Sequence, residues 1–141
     1  MSSIMLTVGR AFLLRAPYDS DLLGFLTEQA KKHRISLATF TAVGAVKSAK
    51  LAFYDQTNHA YLPNLLDYPQ EIASCTGNIS LNEGEPFVHA HVVLADQNGN
   101  TKAGHLLECK VFAAEVHVTE LLGQKIEREK DVQTGLSLWE I

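Results

Sequence analysis

The chain has 141 residues, of which 46% are hydrophobic, and a formal net charge of −4. That length and composition suit one globular domain with a real core, and the acidic balance argues against broad attraction to phosphate backbones. Its two cysteines, Cys75 and Cys109, are too few for a disulfide framework and form no twin Cys-x-x-Cys zinc motif.

No stretch approaches the ~18 apolar residues needed to cross a bilayer. The start, MSSIMLTVGRAFLL, lacks a basic segment followed by a long apolar run, so no signal peptide is expected. The expectation is one cytoplasmic domain spanning residues 1–141, without membrane contact.

Residues 5–16 read as a strand, broken by Ala-Pro-Tyr-Asp-Ser. A helix is expected over about 19–34, with Asp19 or Ser20 accepting hydrogen bonds from its first free N–H groups. Leu22, Phe25, Leu26 and Ala30 recur at helical spacing and define its buried stripe, with Leu23 at the flank. The run Lys31-Lys32-His33-Arg34 complements the carbonyl end of the helix dipole. That solvated role accounts for the longest basic run better than a nucleic-acid patch does.

The pattern then changes period. Strands are expected over 36–43, 45–54, 59–67 and 71–81, with Gly44 as a turn or bulge. Asn82-Glu83-Gly84-Glu85-Pro86 is a break. Two further strands flank Asp96-Gln97-Asn98-Gly99-Asn100, and 111–122 reads as the last long strand. The tail from Asp131 ends in Leu136, Leu138 and Trp139, which should dock on the body. One early helix followed by strands on short connections predicts an α+β domain with a mostly antiparallel sheet. There is no room for the crossover helices of parallel units.

The chemistry lies between Glu85 and Lys110. His89 and His91 are two residues apart on a predicted strand, so their side chains share a face. The five-residue loop from Asp96 to Asn100 suits a hairpin, with Gly99 free to take positive φ. Pairing Ala95 with Thr101 sets His91 directly opposite His105. A register shift of two keeps His105 on that face, whereas a shift of one removes it. Opposed positions lie about 5 Å apart and i,i+2 neighbours about 6.6 Å apart. Three neutral imidazoles so placed can hold a zinc-like ion and leave a fourth position open. The same spacing also fits partly buried imidazoles bonded to backbone or carboxylates.

Other groups fit the site less well. His33 sits at a helix end and His59 follows a turn, both solvated positions. His117 lies in an apolar strand, where a structural role is favoured. Glu85 could reach the site from a loop. Cys109 has the strand parity of His105 and is a second candidate neighbour, although a plain buried thiol is the simpler reading. Glu108 should face away, and Asp96 reads as a turn former. No residue stands out as a general base, so no catalytic residue is named.

Five blocks carry a resemblance over nearly the whole chain. They are Gly9-Arg10-Ala11-Phe12-Leu13-Leu14-Arg15, Val43-Gly44-Ala45-Val46, Gly77-Asn78-Ile79, Gly84-Glu85-Pro86-Phe87-Val88-His89-Ala90-His91 and Gly104-His105-Leu106. In this order they resemble the PPC domain (plant and prokaryote conserved domain), of the free-standing prokaryotic type. The resemblance implies an antiparallel sheet with flanking helices, assembled as a homotrimer. It implies a metal, taken as zinc, on three histidines that correspond to His89, His91 and His105. The family fold is also similar to that of acetolactate decarboxylase, a zinc enzyme, which leaves open a small-molecule ligand at the metal. The chain departs from the family's frequent Gly-Gly-His with Ala103-Gly104-His105, and has Cys109 and Lys110 after Glu108 where a small residue is common. The alternative role implied is DNA-associated or regulatory, acting through assembly with partners. The Arg-Gly-Arg-Pro hook of the plant relatives is absent, so direct DNA binding by this chain alone is not expected.

Overall fold

The computed structural model describes residues 3–141. In chain order the elements are β1 (Thr7–Ala16), α1 (Leu22–His33), β2 (Ala38–Asp55), β3 (Ala60–Leu66), β4 (Gln70–Asn82), β5 (Glu85–Ala95), β6 (Thr101–Leu122), β7 (Arg128–Lys130) and β8 (Ser137–Trp139). This is the α+β, mainly antiparallel architecture expected. Neighbours in the large sheet run β1-β6-β5-β4-β2-β3, and β2 pairs with β6 as well. That additional pairing closes β2, β4, β5 and β6 on themselves. The two long strands are what make closure possible. β2 pairs with β6 along most of its length, with β4 on its other edge along the first half and β3 along the second. Among the described residues no helix is long and apolar enough to cross a membrane.

The inward face is built from small and branched side chains. Phe40, Val46 and Leu51 of β2, Ile72 and Ile79 of β4, Val92 and Leu94 of β5, and Val111, Val116 and Val118 of β6 are all buried. Leu22, Leu26 and Ala30 of α1 complete this core, with Phe25 and Leu23 partly buried against it. The helix contacts β5 and β6. It starts later than expected. The cap is Asp21, whose Oδ2 accepts from Gly24 N at 2.8 Å. Asp21 Oδ1 also accepts from Cys109 N at 2.9 Å, which ties the helix start to β6. Ser20 turns back to Pro17 O, and Asp19 takes a positive φ and pairs with Lys47 Nζ at 2.8 Å. The helix ends at Arg34, which adopts the left-handed conformation after Lys31, Lys32 and His33.

Two expected breaks are milder than the sequence implied. β2 runs through Gly44, which has φ +137° at a register shift against β4, so it is a bulge rather than a turn. The Asn82–Pro86 break is a two-residue hairpin turn. Glu83 and Gly84 both have positive φ, and Asn82 pairs with Glu85. Pro86 lies inside β5, where β6 has not yet begun to pair, so its missing N–H leaves that ladder intact. The edge strand β1 is anchored by Arg10, whose guanidinium grips the buried Glu120 carboxylate through Nε (2.7 Å) and Nη2 (2.8 Å).

Gly77 sets the spacing between β4 and β5. A Cβ there would lie 2.2 Å from His89 O and 2.5 Å from the Phe40 ring. Gly77→Ala should therefore cost about 1–3 kcal/mol by overpacking, read as a lower urea midpoint at unchanged m-value.

Candidate metal centre

The hairpin from β5 to β6 forms in the register that the loop length implied. Ala95 opposes Thr101, and His91 opposes His105. Asp96 is the turn former. Its Oδ1 accepts from Asn98 N and Asn100 N, its Oδ2 accepts from Asn100 Nδ2, and Gly99 takes φ +79°. His89, His91 and His105 consequently converge. One ring nitrogen from each can be chosen so that all three lie within 4.8 Å of one another. Ring centroids are 5.2 Å apart for His89 and His91, 5.0 Å for His89 and His105, and 5.5 Å for His91 and His105. His91 is exposed, while His89 and His105 are half-buried, so the cluster opens outward on one side.

The outward side is a cleft of about 590 Å³. Tyr61 of β3 lies against His105 at 5.0 Å between ring centroids. Phe87 of β5 and the tail residues Leu136 and Leu138 form further walls, and Arg128 of β7 completes the rim. The tail docks as expected, held by Tyr54 Oη donating to Thr134 O at 2.6 Å and by the β7–β8 pairing. That it walls the histidine cleft is new. Neither Arg128 nor Tyr61 carries a local sequence signal for this role, because each arrives through long-range packing.

The chemistry of the cluster fits a cation. Burial pushes His89 down from 6.5 to about 4, with smaller contributions from His105, Arg128 and His91. Burial likewise lowers His105. Both shifts favour the neutral ring, the form that ligates metal.

The remaining candidates lie elsewhere. Glu85 Oε2 is engaged by Lys31 Nζ at 3.1 Å, at the far end of β5. Cys109 is buried in the core, and desolvation pushes its thiol up to about 12. Its expected parity with His105 fails for a defined reason. Lys50 pairs with Glu108 and Leu51 with Leu106, so Leu107 is an extra residue in β6. This bulge turns Cys109 inward beside Leu106 and leaves Glu108 exposed. Lys110 lies 3.7 Å from Asp19, away from the cleft. His33 rests against Phe12, His59 is in the β2–β3 turn beside Tyr54, and His117 is exposed on β6.

The model of the Plants and Prokaryotes Conserved (PCC) domain matches residues 5–122. The chain belongs to this family. A metal-containing protein from Archaeoglobus fulgidus superimposes with TM-score 0.96 at 41% identity, over 100% of both chains. A plant- and prokaryote-conserved protein from Pyrococcus horikoshii gives 0.95 at 40% identity, over 100% of this chain and 98% of that one. The chain is also 30% identical over 129 residues to the bifunctional protein GlmU of Synechococcus sp. (strain JA-3-3Ab). That match takes in 89% of this chain and spans a fifth (20%) of the GlmU length.

The lowered His89 makes stability acid-sensitive. The unfolded chain takes up this proton near 6.5 and the folded chain only near 4. Its contribution is fully present above about 6.5 and is lost as the pH falls toward 4. For metal-free protein, denaturant midpoints measured between pH 7 and 4 should fall with a slope shallower by up to about one proton in His89→Gln.

Proposed function

We propose that this PCC-domain protein binds a zinc-like divalent metal through His89, His91 and His105 and works as a homotrimer. The observation that carries the metal reading is the approach of three imidazole nitrogens to within 4.8 Å of one another. The Archaeoglobus relative, described as metal-containing, adds support at 41% identity. When bound, such an ion would supply Lewis acidity and a water of lowered pKa at its open position. The chain's own residues prepare the site. β5 fixes two ligands at i and i+2, the hairpin sets the third opposite, and burial disfavours protonation of His89 and His105. The open side faces the cleft between Tyr61, Phe87 and the tail, where a small molecule has access.

Assembly is supported by apolar surface outside the core. Leu13 is 87% exposed, Val43 54% and Phe112 57%. Leu13 and Val43 line one groove together with Leu14 and Val116. Covering such a face is the usual reason for carrying it. The DNA-associated alternative has less behind it, because the charge is −4 and Lys31, in the one basic run, is paired with Glu85.

Protein purified from metal-supplemented culture should carry about one divalent ion per chain by plasma mass spectrometry, and the His89→Ala/His91→Ala/His105→Ala variant should carry almost none. Equal content in both would refute the ligand assignment. Separately, Leu13→Glu should convert trimer to monomer in sedimentation velocity, and a wild type that already sediments as a monomer would refute the assembly.

A further inference from the structure

Arg128 is a cation held in place without a counter-ion. Its Nε donates to Ser80 Oγ at 2.9 Å, Nη1 to Ser137 O at 2.9 Å and Nη2 to Asn78 Oδ1 at 2.8 Å. All three acceptors are neutral. Among the described residues the ion pairs join Arg10 to Glu120, Lys31 to Glu85, and Lys47 and Lys110 to Asp19, and none includes Arg128. A guanidinium has five N–H groups, so two remain, one on each terminal nitrogen. The group also lies over two rings, 5.0 Å from the Phe87 centroid and 5.9 Å from that of Trp139. This is a fixed, half-buried positive charge at the rim of the histidine cleft.

Such a charge is costly beside a cation site. It lines the same cleft as His89, His91 and His105, and its field would repel a metal bound there. A negative group lying between the two positive centres would remove the conflict. Guanidinium forks match planar carboxylates closely. The cleft, at about 590 Å³ with Phe87, Tyr61, Leu136 and Leu138 in its walls, has room for a small organic molecule.

We propose that Arg128 and the histidine cluster together form a binding site for a small organic carboxylate, with its carboxylate on the two free N–H groups of Arg128 and its remaining oxygen directed at the three histidines. The second contact rests on the metal reading above. The first does not.

Trp139, the single tryptophan, reports on the site through its emission. Acetate, lactate and pyruvate are titrated into zinc-loaded and metal-free protein, with acetone as the uncharged control. In zinc-loaded wild type, lactate or pyruvate should bind more tightly than acetate, and acetone should have no effect. Arg128→Gln should weaken binding at least tenfold with zinc content and circular dichroism unchanged. Arg128→Lys, which keeps the charge without the fork, should fall between. Unchanged affinity in Arg128→Gln at normal zinc content, or acetone binding as well as pyruvate, would overturn the proposal. So would the absence of binding by all three carboxylates. If the chain takes up no zinc, the metal reading fails alone. The Arg128 contact then stands if metal-free wild type, but not Arg128→Gln, responds to the carboxylates, and falls if neither responds.

Discussion

The pairing of Ala95 with Thr101 across the Asp96–Asn100 loop is the constraint from which the candidate site follows. One residue of slippage would turn His105 to the other face, because side chains alternate along a strand. The register is held at both ends. At the loop, three hydrogen bonds to the Asp96 carboxylate and the positive φ of Gly99 set the turn. Beyond His105, β6 leaves β5 and continues against β2, where His105 lies opposite Ala52. The same long strand that closes the sheet therefore fixes the third imidazole.

The site joins local and distant parts of the chain. β5 and β6 supply the imidazoles, β3 supplies Tyr61, and the C-terminal hairpin of β7 and β8 supplies Arg128 and one wall. Asn78 of β4 connects these layers. It pairs with His89 across the sheet and accepts from Arg128. The electrostatics are arranged accordingly. Burial disfavours protonation of His89 and His105, while Arg128 keeps an unneutralised charge at the rim of the same cleft.

What was legible in the sequence was local. Alternation along β5, a five-residue loop and its glycine were enough to bring the three histidines together. Helical spacing was enough to find Leu22, Leu26 and Ala30. The helix start was misplaced because Asp19, Ser20 and Asp21 are all competent caps, and only the contact of Asp21 with Cys109 N separates them. The face of Cys109 was misread because a bulge at Leu107 is set by pairing with β2, which leaves no mark in the local pattern. Arg128 and Tyr61 were missed for the same reason. Their roles arise from packing between segments far apart in the chain.

X-ray absorption at the zinc edge of loaded protein interrogates the histidine register most directly. The account predicts three nitrogen scatterers with imidazole signature at about 2.0–2.1 Å and at least one oxygen. A sulfur shell at about 2.3 Å, fewer than three imidazoles, or no ordered metal environment at all would contradict it.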